Sequence, residues 1–235
     1  MDGLGFYALQ NSLLSSATAP ELLWEGPMNS KGKIETFRSE LALIRSPFIQ
    51  QLVSLCLAKT PDYFFTVGAS ATSKHHPAYT LGSGGLVRHT KAAVKIYSEL
   101  TQNGLPYWYQ WQDHDIQTLM AQTEIDDVCI AALILHDTYK RGDGEGGEHS
   151  LHEHPILAAQ QIIKTGFSIP GLSLDEGEIV HLIAGLVETH MGKWAFSHHS
   201  STILPVPETW LARVVHLCDY LASRKCIEVQ LEVSE

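Results

Sequence analysis

Positive charge is scarce in this sequence. Lys and Arg number 16 against 26 Asp and Glu, a formal net charge of -10. Such a chain repels a nucleic-acid backbone over most of its surface, so extended binding to duplex DNA is not expected, while a local basic pocket is compatible with it. Charged residues of both signs make up only 18%, which argues against a long solvated coiled coil. Cysteine is sparse too. Cys56, Cys129, Cys218 and Cys226 form no CxxC pair and lie in apolar surroundings such as Val128-Cys129-Ile130. That argues against a disulfide framework or a thiolate zinc site and for reduced core thiols in a cytoplasmic protein. No apolar stretch is long enough to span a bilayer, and the longest, Val128 to Leu135, has the length of a core helix. The opening Met1-Asp2-Gly3-Leu4 lacks a basic region followed by an apolar run and is not expected to act as a signal peptide.

What remains is a chain of 235 residues with 44% hydrophobic content, enough for one well-buried domain and a small appendage. Residues 1 to about 35 are broken by Pro20, Gly26, Pro27 and Gly32 into short helices or loops. From Ile34 to Lys59 apolar residues recur every three or four positions, with Pro47 starting a new helix or kinking this one. Ala69 to Gly85 is a polar, glycine-bearing loop. Helices are then expected over Leu86 to Gln102, Glu124 to His136, His154 to Thr165, Asp175 to His190 and Pro207 to Val229. Glu124, Asp126 and Asp127 suit the N-terminal dipole of the second of these. A polar, aromatic connector covers Leu105 to Gln112, and a glycine-rich loop covers Gly142 to Gly147. There is no internal repeat and no β-rich section, so the expected class is all-α. Residues 1–80 read as an N-terminal extension with a substrate-side loop and residues 81–235 as the main domain.

Histidine is in excess, with 13 residues. The apolar run Ala131 to Leu135 ends in His136-Asp137, where an imidazole and a carboxylate at a helix end can converge on one ion. His89 follows Gly84-Gly85, whose missing side chains permit close backbone approach. His190 shares a helical face with Ile179, Ile183, Leu186 and Val187 and therefore points inward. Asp219 shares a core-facing stripe with Val215 and Ala222, while Arg224 lies off that face; a buried carboxylate there needs a cation, and a metal ion or a distant Lys or Arg would serve. His, Asp and no thiolate suit Mn, Fe, Co, Ni, Zn or Mg in a catalytic rather than a closed structural site.

The ordered blocks Gly84-Gly85-Leu86-Val87-Arg88-His89, Leu133-Ile134-Leu135-His136-Asp137-Thr138-Tyr139-Lys140, His154-Pro155-Ile156-Leu157-Ala158, His190-Met191-Gly192-Lys193 and Val215-His216-Leu217-Cys218-Asp219 resemble the HD-domain metal-dependent phosphohydrolases. The resemblance runs from Gly84 to Arg224, and its pattern is most similar to the HD domain of YhaM-type 3′-5′ exoribonucleases and of small phage and bacterial nucleotide phosphohydrolases. It implies an HD-type helical bundle holding one or two divalent ions. His89, His136, Asp137 and Asp219 would hold the first, and His154 and His190 the second, with Asp137 bridging. His152 rivals His154, which is preferred because Pro155-Ile156-Leu157-Ala158 fits the family's next helix.

The implied activity is hydrolysis of a nucleotide phosphate ester, with Asp137 positioning ion and water and Lys140 offsetting phosphate charge. Thr138-Tyr139-Lys140 departs from the family's frequent Ile-Gly-Lys but retains the lysine. Lys193, and Lys74 in the Ala69 to Pro77 loop, are candidate substrate contacts; Tyr107-Trp108-Tyr109 and Trp111 either stack a base or pack the connector. The first 80 residues do not read as the nucleic-acid-binding barrel of the exoribonucleases, which favours a small nucleotide over single-stranded RNA. Exoribonuclease activity on short single strands and a non-catalytic regulatory module are the alternatives. No membrane partner is expected, and homo-oligomerisation stays open.

Overall fold

Helix α6, Gln122–Leu135, is the element around which the others are arranged, because its sequence leaves no polar face to give to solvent. From Ile125 the helix is buried apart from Asp126, and Val128 to Leu135 are each at most 5% exposed. A helix that is apolar all round must be covered on every side. The structure, a computed structural model, describes residues 28–70, 74, 76–102, 122–227, 229 and 231. The expected elements over residues 1–27 and the aromatic connector Leu105 to Gln112 lie outside the described residues.

The described residues are all helical, with nine α-helices, two 3-10 turns and no strand among them. Short helices α1 (Ser30–Thr36) and α2 (Arg38–Leu41) lead into α3 (Pro47–Lys59), followed by α4 (Tyr63–Thr66) and a 3-10 turn at Ala78–Thr80. Then come α5 (Gly85–Gln102), α6, α7 (His154–Gly166), α8 (Leu174–Glu188) and α9 (Trp210–Ala222). Helix α6 packs against α3, α5, α8 and α9; α7 lies along α8, and α9 along α5. Phe37, Phe64, Leu86, Leu133, Val187 and Val215 belong to one hydrophobic core, so helices on both sides of residue 80 share it. None of the helices among the described residues is long and apolar enough to cross a membrane.

Helix boundaries follow local chemistry. Pro47 stands in the first turn of α3, where a missing N–H costs nothing, and Ser46 caps it by accepting from Ile49 N–H. Ser173 and Glu176 form a reciprocal capping box on α8. Three expectations need correction. Only Glu124 lies in the first turn of α6. Asp127 instead accepts the Arg45 and Ser46 backbone N–H groups at 3.0 and 2.7 Å, at the start of α3, and Asp126 accepts from the Tyr97 hydroxyl at 2.8 Å. Helix α9 is shorter than the apolar pattern suggests: Thr209 caps its start, and the chain turns at Ser223 and Arg224, with Tyr79 Oη donating to the Ala222 carbonyl. Cys226 falls beyond that turn and is exposed, whereas Cys56, Cys129 and Cys218 are buried free thiols. Burial pushes Cys56 and Cys129 up to about 12, leaving them protonated and unreactive.

Two glycines separate packing from propensity. A Cβ on Gly85 would lie 2.1 Å from the Thr80 carbonyl oxygen, so only glycine lets the 3-10 turn lie against the start of α5. A Cβ on Gly185, inside α8, meets nothing within 4 Å. Gly85→Ala should therefore destabilise the protein by about 1–3 kcal/mol, and Gly185→Ala should stabilise it by roughly 0.5–1 kcal/mol. Urea unfolding midpoints of the two variants should move in opposite directions; a shift of the same sign in both would contradict the packing.

Candidate metal centre

Five helices bring six side chains to one buried point. His89 comes from the first turns of α5, His136 and Asp137 from the turn just after α6, His154 from the start of α7, His190 from the turn just after α8, and Asp219 from the last turn of α9. His89, His136, Asp137, His154 and His190 are each at most 2% exposed. The Asp219 side chain is 16% exposed and forms the open edge.

Helix ends do the orienting. The last carbonyls of a helix lack internal partners, and His136 Nδ1–H donates to Leu133 O at 2.7 Å while His190 Nδ1–H donates to Val187 O at 2.6 Å. His154 does the same on the turn that opens α7, donating from Nδ1 to Leu151 O at 2.6 Å. Each bond fixes the tautomer and leaves Nε2 pointing into the cluster, the arrangement of metal-ligating histidines. His89 differs: its Nδ1 is buried without a hydrogen-bond partner, and its Nε2 faces both carboxylates.

Asp137 stands between two groups of donors. On its Oδ2 side lie His136 Nε2 at 3.4 Å and His89 Nε2 at 3.7 Å, with Asp219 Oδ1 3.0 Å from His89 Nε2 and 3.5 Å from His136 Nε2. On its Oδ1 side lie His154 Nε2 at 3.1 Å and His190 Nε2 at 3.8 Å, themselves 3.2 Å apart. Donors about 2.1 Å from an ion are separated by about 3.0 Å at a right angle and about 3.4 Å at a tetrahedral angle. The 3.0–3.5 Å spacings between these donors match the edges of a coordination shell, while those of His89 and His190 to Asp137, 3.7 and 3.8 Å, are wider. Asp137 Oδ1 is buried without a conventional hydrogen bond, which a cation would remedy. His89, His136 and Asp137 form one group able to hold a metal ion, and Asp137, His154 and His190 a second. This is compatible with an HD-type site.

The charges are tightly balanced. Burial raises the Asp137 carboxyl, but the Lys140 ammonium, 2.5 Å from Oδ2, and His136 outweigh it and hold the group well below the usual carboxylate range. Asp219 is likewise held low, burial being outweighed by hydrogen bonding to His136 and His89. Burial pulls His136 down, yet Asp137 and Asp219 carry it up to about 10. His190 drops to about 3 through burial and its neighbours His136 and His154.

His152 sits with its Nε2 3.2 Å from the Thr202 carbonyl, away from the cluster, so the geometry selects His154. His149, His198 and His199 are at the surface. Lys74 is exposed, two residues before His76. Lys193 is exposed and lies over the Trp194 and Tyr220 rings, 4.6 and 5.2 Å from their centres. Two further histidines border the cluster. The His76 ring packs 5.8 Å from that of His89, and burial with the nearby His89 lowers it to about 4. His216 Nδ1–H donates to the His190 carbonyl at 2.6 Å. A loop histidine has no periodicity to betray it, and His216 looks like one more residue beside the Asp219 stripe.

Asp137→Ala should remove bound metal altogether and His154→Ala should lower metal content, each loss exceeding the roughly 10–100-fold cost of losing an outer partner. Elemental analysis of the purified variants checks this, and full metal content in Asp137→Ala would exclude the site. In chelator, the unfolded chain takes up protons on His76 and His190 near pH 6.5 before the folded one does, so stability falls as pH drops from about 6.5 towards 4. His136 acts oppositely, its contribution being complete below about 6.5 and lost as pH rises towards 10. Urea midpoints should be highest between these limbs, and a midpoint rising steadily from pH 7 to 5 would contradict the assignment.

A scan of family models, a search of curated proteins and a search of solved structures each found no match to this chain. What the chain shows by itself is an all-helical arrangement, among its described residues, around a buried His and Asp cluster able to hold a metal ion.

Proposed function

We propose that this chain is an HD-type metal-dependent phosphohydrolase acting on the phosphate ester of a nucleotide. The observation that carries the reading is Asp137, one buried carboxylate whose two oxygens face two different donor groups. Divalent ions in such a cluster polarise phosphoryl oxygens and acidify water.

The protein's own residues supply the rest. The Nδ1 bonds of His136, His154 and His190 keep these three rings preoriented, so little reorganisation is needed when ligands bind. Asp137 stays ionised through the neutral range because Lys140 and the histidines oppose the effect of burial. Lys140, with a side chain 16% exposed, stands where it can meet both Asp137 and an arriving phosphate. The loop behind it is braced by Tyr63, whose hydroxyl donates to Gly142 O at 2.8 Å and accepts from Arg141 N–H at 2.9 Å. The half-buried His76 borders the cluster beside His89. Lys140 thus sets one cation next to a buried anionic centre in a chain of net charge -10, which suits a small phosphate ester better than a long polyanion.

The metal-loaded protein should release phosphate or nucleotide from at least one member of a panel of dNTPs, nucleoside monophosphates, cyclic nucleotides and short RNA. No turnover of these or of generic phosphodiester reporters would overturn the enzyme reading. Lys140→Ala should keep its metal and lose about 10²–10³ in kcat, as for loss of one charge-stabilising donor. Because Lys140 lowers Asp137, the acidic limb of the pH–rate profile should also move to higher pH in this variant. Metal loss in Lys140→Ala would instead assign the lysine to holding the site together.

A further inference from the structure

Several cations of this acidic protein pair with a nearby carboxylate. Lys33 pairs with Asp62, Lys91 with Glu40, Lys95 with Glu99 and Lys140 with Asp137. Lys193 lies over aromatic rings instead, and Arg224 lies over the same rings while its Nε and Nη2 donate to Ser223 Oγ. Lys193 Nζ lies 4.6 Å from the Trp194 centre and 5.2 Å from that of Tyr220. The Arg224 guanidinium carbon lies 4.6 Å from the Tyr220 centre and 5.7 Å from that of Trp194. The two rings are 5.6 Å apart and inclined by 31°. Among the described residues no carboxylate lies within ion-pair distance of either cation. The ring faces attract both charges without neutralising them, so two like charges share one aromatic pair, and an anion between them would relieve the repulsion.

This platform is built onto the metal centre. Tyr220 follows Asp219 directly, and Trp194 follows His190 by four residues. His216 ties the two together: its Nδ1–H donates to the His190 carbonyl, and its ring packs 6.2 Å from Trp194 and 6.3 Å from Tyr220. The ring fits only because residue 192 is glycine; a Cβ there would lie 2.3 Å from it. His216, Tyr220 and Arg224 recur every four residues beside Asp219. Arg224 lies just past the end of α9, where the chain turns.

We infer that Lys193 and Arg224, seated on Trp194 and Tyr220, form an anion subsite that takes a second phosphate group of the substrate. The substrate class is then a nucleotide with at least two phosphates, either a nucleoside di- or triphosphate or a short phosphorylated oligonucleotide. Nucleoside monophosphates and cyclic mononucleotides are disfavoured. The inference rests on the nucleotide reading above, but the subsite is testable without turnover.

Equilibrium dialysis of the full chain in chelator would compare AMP with ADP, ATP and 5′-phosphorylated diadenylate. Wild type should bind at least one of the last three about tenfold more tightly than AMP, as expected for an added charge-assisted contact. The Lys193→Gln/Arg224→Gln double variant should lose that preference while its affinity for AMP stays within about twofold. A preference for ADP and ATP alone identifies a nucleoside polyphosphate, and one for the diadenylate alone an oligonucleotide. Equal affinity for all four ligands, or a preference that survives the double substitution, overturns the subsite. If the double variant does not fold, the exposed Lys193→Glu takes its place, with the same outcomes required. Binding with this preference but no hydrolysis would sink the phosphohydrolase reading and leave the subsite standing; hydrolysis without the preference would do the reverse.

Discussion

The structure depends on keeping a carboxylate, Asp137, ionised at 1% exposure. Removing such a charge from water costs several kcal/mol unless partners replace the lost hydration. Here the partners come from all around it: Lys140 from its own turn, His136 next to it, His89 from α5, and His154 and His190 from α7 and α8. Asp219 adds a second negative group shared with His89 and His136. The helices α5 to α9 are therefore tied by polar chemistry at the point where they converge, in addition to the apolar core around α6.

Helix termini make this convergence possible. A histidine in the middle of a helix has its backbone groups already paired, and nothing local to fix its ring. His136 and His190 stand just past helix ends, where unpaired carbonyls accept from Nδ1 and turn Nε2 inward. The same backbone shortage that frays a helix end thus sets the direction of a potential metal ligand. Loop bracing completes the arrangement. Tyr63 holds the turn after Lys140 from both sides, and a Cβ at Gly146 would lie 2.6 Å from its ring.

The distribution of charge fits the proposed chemistry. The chain carries a net charge of -10, yet its buried centre gathers neutral and protonated histidines around two carboxylates and keeps Lys140 at the edge. Beyond it, Lys193 and Arg224 rest on aromatic rings rather than on acids. Under the proposed function a phosphate ester would meet Lys140 at the centre and, by the inferred subsite, Lys193 and Arg224, while a net acidic chain discourages a long polyanion.

The sequence by itself determined the class and the cast. Periodicity predicts α5, α7 and α8 to within two residues at either end, and the apolar run up to Leu135 marks the buried helix that ends in His136-Asp137. Polar residues on apolar faces pointed to His190 and Asp219, because such burial is costly without a partner. Asp127 and the end of α9 were not readable in this way. Asp127 is bound by Arg45 and Ser46, more than 80 residues away, and α9 stops where a turn at Ser223 and a hydroxyl from Tyr79 take over its last carbonyls. Only the tertiary structure could show His152 turned away to the Thr202 carbonyl, bring His76 against His89 and set Arg224 and Lys193 over the same pair of rings. Each of those choices turns on distances between elements remote in the chain, and spacing along one helix carries no information about them.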